Sequence, residues 1–566
     1  MNIPFLNREV VSFHAAALVL GGAALVSKLL GLFRDRLLAA RFGAGDELDV
    51  YYAAFQIPDI LYALLLAGAA SAAVLPALLS AERRGRDAGE RFLGNLLTIF
   101  AVGSVAAAIV AAIVAPYFVP LLAPGFQPEK LELAIRLTRL MLGNVVFLGL
   151  ASILSTLLQA RHRFFAFALP PIVYNVGIIV GILAFVPALG VLGLAAGVLL
   201  GGMLQVLIQL PAVRGLGFRF RSRFDLRDPG FRGVLRTSLP RVAALSLSQI
   251  TLAILAAIAS LFVGGSLAAF RLAANLLFVP VGLFGVSYAL AVFPKLSGAS
   301  LDGAGEHFRE HFAAGFRNIL FWALPATALL IVLRAHIVRV ILGSGAFDWG
   351  DTRLVAALLA AMAMAIVSES VLPLVLRGFY ALGRTREPLL WNVIGSLSTI
   401  AFAFGLMRWF DASPGLLADL ARVLRIGDLP NPEVLAVGVA FALGSLTSAA
   451  LLLLALRRTV RRVLGVPIDL AGDIAVMVGA SVLAGVAAYL ALIPFPALIA
   501  TNTFLGILAQ GFTAGSVGCL VYGVILFTQK NPELEGLLTS IRGRRVSPAN
   551  APAVFETEKL DGEAGK

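Results

Sequence analysis

Residues 27–80 read SKLLGLFRDRLLAARFGAGDELDVYYAAFQIPDILYALLLAGAASAAVLPALLS and join a first apolar run to a second. Within them Lys28, Arg34, Asp35, Arg36, Asp49 and Asp59 stand in or beside segments apolar enough to cross a bilayer. A charge at the bilayer centre is costly, so ionisable groups there face a protein interior or an aqueous cavity and mark a substrate path. The stretch predicts a bundle of membrane helices whose function lies where these charges converge.

The rest of the chain agrees with that fold. Of 566 residues, 59% are hydrophobic and 14% charged, against about 25% charged in a soluble domain. Mean hydropathy is +0.92. Apolar runs of about 20 residues suit helices crossing hydrocarbon, and the period-2 alternation of barrel strands is missing. The first apolar run lacks a small-residue cleavage site, so it is expected to stay as the first helix. The one cysteine, Cys519, excludes intramolecular disulfides and thiolate metal clusters. A net charge of +13 invites nucleic acid as a partner. The arginines sit in short loops, however, where anionic lipid is the better partner.

Fourteen spans are expected, at about 13–36, 50–80, 92–117, 132–159, 166–188, 190–211, 234–262, 266–294, 314–334, 352–376, 387–409, 433–456, 470–493 and 499–527. Arginine and lysine alternate between the loops. Arg83, Arg84 and Arg86 lie in the second, Arg161 and Arg163 in the fourth, and Arg214, Arg221, Arg223, Arg227 and Arg232 in the sixth, while the fifth, seventh and thirteenth have none. By the positive-inside rule the even loops and both termini face the cytoplasm.

Two landmarks recur. Leu75-Pro76 at the end of span two matches Phe293-Pro294 at the end of span eight, 218 residues later, and Pro171-x3-Asn175 matches Pro388-x3-Asn392, 217 residues later. The chain therefore divides by sequence into a lobe at 1–211, a basic linker at 212–233, a second lobe at 234–460, two appended spans at 461–529 and a polar tail at 530–566. Six spans per repeat is even, so the lobes share an orientation and enclose a central cavity, opened to each side in turn by rocking.

Catalytic chemistry is poorly supplied. His307 and His311 have the spacing of helical metal ligands, but no Glu follows His307 and no third ligand is evident, so no metal site is expected. No P-loop is present. Energy is left to an ion gradient, the membrane potential or consumption of product.

Gly31-Leu32-Phe33-Arg34-Asp35-Arg36, Phe42-Gly-Ala-Gly45, Leu48-Asp49, Phe55-Gln-Ile-Pro58 and the small-residue run to Leu75-Pro76 resemble the N-terminal signature of the MurJ/MviN family. Ala123-Pro-Gly-Phe126, Arg163-Phe164, Ser246-x-Ser248-Gln249-Ile250 and Gly378-Phe379-Tyr380 with Thr385 and Pro388 follow in order. That family consists of flippases of the multidrug/oligosaccharidyl-lipid/polysaccharide exporter superfamily.

The resemblance implies transport of lipid II, the undecaprenyl-diphosphate-linked peptidoglycan precursor, across the bacterial inner membrane. It assigns substrate contact to Lys28, Arg34, Asp49, Tyr62, Arg241, Gln249, Arg271 and Asn275. Tyr62 and Asn275 stand where the family usually carries arginine, and Ala67 where glutamate is common; Arg271, one turn before Asn275, and Arg241 offer relocated cations. Planar bidentate arginine suits phosphate oxygens. Arg34 and Arg36 also fit interfacial anchors, and Arg271 a structural ion pair. Glu369 suits a proton or cation site or a packed carboxyl, and Asn392, Ser396, Ser398 and Thr399 suit sodium ligands or helix-to-helix hydrogen bonds. The coupling cation, Na+ or H+, stays open. So do rival readings: another polyprenyl-diphosphate-linked glycan, small cationic drugs, a polytopic glycosyltransferase, or a transport-dead scaffold for cell-wall enzymes.

Overall fold

The computed structural model describes residues 13–64, 74–218, 220–430, 432–468, 470, 474–494 and 503–541, with backbone alone at 13–17, 237, 239–246 and 540–541. Ala67 and the end of the polar tail lie outside the described residues, as does the side chain of Arg241. All regular structure among the described residues is helical.

Helix α1 is Phe13–Phe42, α2 Asp46–Tyr62, α3 Val74–Glu82, α4 Arg86–Leu122 and α5 Pro128–Ala160. The short α6, Phe164–Ala168, leads into α7, Pro170–Val180, which continues through a π-helical turn at Gly181–Phe185 into α8, Val186–Leu189. Then come α9 Leu192–Gly215, α10 Pro229–Ala259, α11 Ser266–Pro280, a π-helical turn at Val281–Val286, α12 Ser287–Leu301, α13 Gly305–Leu342 and α14 Trp349–Met362. The series ends with α15 Ala365–Ala381, α16 Glu387–Ala412, α17 Pro414–Val423, α18 Leu435–Leu464, α19 Ile474–Leu492, α20 Phe504–Thr528 and α21 Pro532–Ile541.

Where the expected spans are described they fall mainly on helix. Ten among the described residues are continuous helical stretches long and apolar enough to cross a membrane, those at α7–α8 and α11–α12 running through their π-helical turns. Span ten, expected to be continuous, is instead α14 and α15, bent by 49° at a short break. The remaining positions, at α1, α2–α3 and α10, adjoin or contain residues not fully described.

In space the chain groups into two compact units, the first drawing on both sequence repeats and the second on the second repeat and the residues that follow it. The first contains Met1–Ala274, Ile341–Leu358 and Asn392–Phe441; the second contains Asn275–Val340, Leu359–Trp391 and Ala442–Lys566.

Within the first unit, glycine sets how closely α7 and α9 approach. A Cβ on Gly177 would overlap the backbone of Gly201, and one on Gly181 would lie 2.5 Å from the Cα of Gly197. Small residues four apart on each helix permit this backbone contact, which gives strong dispersion in a lipid setting where apolar burial gains little. At one end of this unit Leu93, Leu96, Leu157, Leu158 and Ala212 form a buried cluster. The linker after α9 is pinned there. Asn95 Nδ2 donates to the Asp225 carbonyl at 3.0 Å and Asp225 N donates to Asn95 Oδ1 at 2.8 Å. Arg223 holds the Asp225 carboxyl below the usual carboxylate range. Asp228 then caps α10 by accepting from Phe231 N at 2.9 Å, with Pro229 at the first helical position.

In the second unit, Phe308, Phe312, Phe379, Leu296 and Leu456 are buried together, joining α12, α13, α15 and α18. The α19–α20 pair docks on α13. Tyr522 Oη donates to the Phe321 carbonyl at 2.8 Å, His336 Nε2 lies 3.0 Å from Gln510 Oε1, and Arg317 pairs with Glu533 at 2.7 Å.

Candidate functional site

The first unit holds a cavity of about 570 Å³ between α1, the end of α2, α5, α7 and α9. Lys28 and Ser27 enter it from α1, Tyr62 from α2, Ser152 and Ser155 from α5, and Gln205 from α9; the other walls are apolar. Lys28 and Tyr62, both assigned substrate contact, are thus brought to one chamber.

Arg34 lies about 9 Å of helix rise beyond Lys28. Its Nε and Nη2 donate to Asp35 Oδ1 at 3.0 and 2.7 Å, and Nη1 donates to Asn175 Oδ1 at 3.1 Å. Asn175 in turn donates from Nδ2 to the Ser27 carbonyl at 3.2 Å and to the Pro171 carbonyl at 3.0 Å. One amide therefore ties the arginine to the wall that carries Lys28. A guanidinium has five N–H donors, and the bonds to Asp35 and Asn175 engage three of them.

Further along, Asp59 lies within electrostatic reach of both Arg34 and Arg271, and Tyr52 of Arg271. Among the described residues Arg271 Nε is buried without a hydrogen bond, as are Tyr52 Oη and both amide atoms of Gln56. Gln249 is exposed on α10, and Asn275 begins the second unit's share of α11.

Asp49 has a different place from the one the resemblance assigned. It is 2% exposed, and its oxygens accept from Gly265 N at 2.8 Å and Ala268 N at 2.7 Å while pairing with Lys130 Nζ at 2.8 Å. The carboxylate caps the positive end of α11 and binds it to α2 and α5, rather than lining the cavity. Around it the same end of the unit is closed. Lys130 also pairs with Asp46 at 2.6 Å and stands 4.2 Å from the Phe126 ring. Ala346 N donates to the Ala40 carbonyl at 2.8 Å, Arg36 Nη1 to the Ile341 carbonyl at 3.3 Å, and Ala44 N to Asp351 Oδ2 at 3.0 Å. Segments from both sequence repeats thus interlock. Lys130, Asp46 and Asp351 were missed because in sequence they read as ordinary loop charges.

In the second unit, Ser445 Oγ donates to Glu369 Oε1 at 2.6 Å and lies 2.7 Å from Ser368 Oγ. In the first, Thr399 Oγ1 donates to the Gly395 carbonyl at 2.9 Å, and Asn392 and Ser396 lie on the same helix, α16. Among the described residues no three His, Cys, Asp or Glu side chains stand close enough to share a metal ion.

A family model described as lipid II flippase MurJ matches residues 38–510. The probable lipid II flippase MurJ of Rhizobium tropici is 30% identical over 391 residues, covering 67% of this chain and 72% of that one. The lipid II flippase MurJ of Burkholderia cenocepacia is 29% identical over 387 residues, 67% and 75% of the two chains. Among solved structures, a lipid II flippase MurJ in an inward closed conformation matches with a TM-score of 0.69 at 22% identity, over 93% of this chain and 99% of that one. An inward-facing MATE family multidrug transporter of the MOP superfamily matches at 0.61 and 15%, over 79% and 98%. At such identities the two structures speak to the fold, which they share with this helical bundle. The family match over most of the length and the relative at 30% identity carry the rest: the chain belongs to the lipid II flippase MurJ family, a family of transporters rather than enzymes.

Proposed function

We propose that the chain moves lipid II from the inner to the outer leaflet of a bacterial plasma membrane by alternating access between its two sequence lobes. The observation that carries this is a chamber of the first unit lined by Lys28 and Tyr62, with Arg34 tied through Asn175 to the Ser27 and Pro171 carbonyls of its wall. A diphosphate needs cations in a partly dry, wetted cavity, where charge-assisted hydrogen bonds are strongest. Arg34, held in orientation by Asp35 and Asn175, offers its remaining N–H groups to phosphate oxygens. Lys28 adds a mobile point charge in place of a fork. The apolar walls accept the start of the polyprenyl chain.

Loop arginines favour cytoplasmic termini, which puts the interlocked end around Asp49 on the outer side. Delivery then requires that end to part, so Asp49 and Lys130 act as a latch rather than as substrate ligands. A cationic site moving through the field makes the membrane potential a driver, and Glu369 with Ser445 is the candidate for proton coupling. Membrane-embedded cell-wall enzymes that make and consume the precursor are the partners this reading implies.

The test is complementation of a flippase-depleted bacterium together with transport in proteoliposomes. Arg34→Ala is expected to insert normally, fail to support growth and fail to move labelled lipid II. Normal growth would remove Arg34 from the mechanism, and equal transport of another undecaprenyl-diphosphate sugar would widen the substrate class.

A further inference from the structure

Helices α2 and α11 both begin at the interlocked end, where Asp49 takes the Gly265 and Ala268 amides. From there Asp49, Tyr52, Gln56 and Asp59 fall at helical spacing on one stripe of α2, and Ala268 and Arg271 on one stripe of α11. Buried polar groups in proteins are nearly always hydrogen-bonded. Here, among the described residues, Tyr52 Oη, both amide atoms of Gln56, which is 1% exposed, and Arg271 Nε have no partner. Asp59 is surface-accessible, and among the described residues its carboxylate makes no hydrogen bond or ion pair, although it stands within electrostatic reach of Arg271 and Arg34. Tyr62, three residues on and on the same stripe, lines the cavity.

A chamber built only to hold a diphosphate gains nothing from Asp59, whose charge repels it. A carboxylate left open beside an incompletely bonded guanidinium matches a ligand carrying both signs. We propose that Asp59 and Arg271 flank a dipolar subsite that takes a primary ammonium group of the cargo at Asp59 and a carboxylate or phosphate at Arg271, with Gln56 and Tyr52 supplying neutral hydrogen bonds between them. This rests on the lipid II reading, because the peptide of such a headgroup carries a free amine and free carboxylates. The subsite would select the peptide part of the cargo, separately from the diphosphate cations at Lys28 and Arg34.

The experiment uses the full chain in proteoliposomes with two substrates, lipid II bearing its free side-chain amine and the same lipid with that amine acetylated. Binding of the water-soluble glycopeptide diphosphate, stripped of its polyprenyl chain and in both forms, is measured on the detergent-purified protein. The wild type is expected to move and bind the free-amine form at least about fivefold better. Asp59→Asn is expected to bring the free-amine form down to the level of the acetylated one, and Asp59→Glu to keep part of the preference; unchanged thermal midpoints show that both variants fold. A wild type without preference, or an Asp59→Asn variant that retains it, overturns the subsite. Should the wild type move neither lipid while binding keeps an Asp59-dependent amine preference, the flippase reading fails and the subsite stands.

Discussion

Replacing Asp49 by Asn isolates what the interlocked end contributes. The amide keeps one oxygen for one of the two α11 N–H groups but loses the second acceptor, and its –NH2 faces Lys130 in place of a carboxylate. Hydrogen bonds to charged groups contribute about 1.5–3 kcal/mol each, and removing one partner of a buried pair costs about 3–5 kcal/mol. Lys130 retains Asp46, whose side chain is 70% exposed, so the full penalty is discounted. A net loss of about 3 kcal/mol corresponds to roughly a hundredfold change in the ratio of closed to parted ends. In a Cys519→Ser background, spin labels at Arg41→Cys and Trp349→Cys, both exposed in the first unit, report that separation by double electron–electron resonance in nanodiscs. The otherwise native chain should give one short distance. Asp49→Asn should add a longer population visible at equilibrium, and Lys130→Met a smaller one, since Asp49 then keeps both amides. An identical distance distribution and thermal midpoint in Asp49→Asn would refute the latch.

Two further substitutions probe other parts of the bundle. Gly181→Leu forces a side chain into the α7–α9 crossing where even a Cβ lies 2.5 Å from the Gly197 backbone, so a loss of at least about 3 kcal/mol is expected, read as a lower detergent melting midpoint and reduced yield; near-native melting would show that the helices separate without penalty. Glu369→Gln can still accept from Ser445 but no longer titrates, so if Glu369 carries the coupling proton, proteoliposome transport should stop responding to an imposed pH gradient, whereas an unchanged response returns it to packing.

Much of this was legible in residues 27–80. The mixture of charge and apolar run pointed to α1 and α2, because the free energy of burying a charge in lipid leaves few alternatives, and Lys28 and Tyr62 of that stretch line the cavity. The spacing Pro171-x3-Asn175 carried real geometry: Asn175 donates to the carbonyl four residues back and reaches across to α1 with the other end of its amide. Asp49 misled, since a carboxylate that lines a cavity and one that caps a distant helix have the same signature until Gly265 and Ala268 are brought beside it. The bend between α14 and α15 had no signal in Met362-Ala-Met-Ala365, which contains neither Pro nor Gly. Asp59 was visible as a charge, but its significance depends on Arg271, some two hundred positions away in the chain, standing within its field.

The Asn175 amide gives cargo arrival a particular character. Its oxygen serves Arg34, whereas its nitrogen holds the Ser27 and Pro171 carbonyls. An anion that draws the guanidinium away therefore takes only the oxygen side, and α1 remains moored to α7 throughout. Loading and release can proceed without loosening the scaffold that frames them.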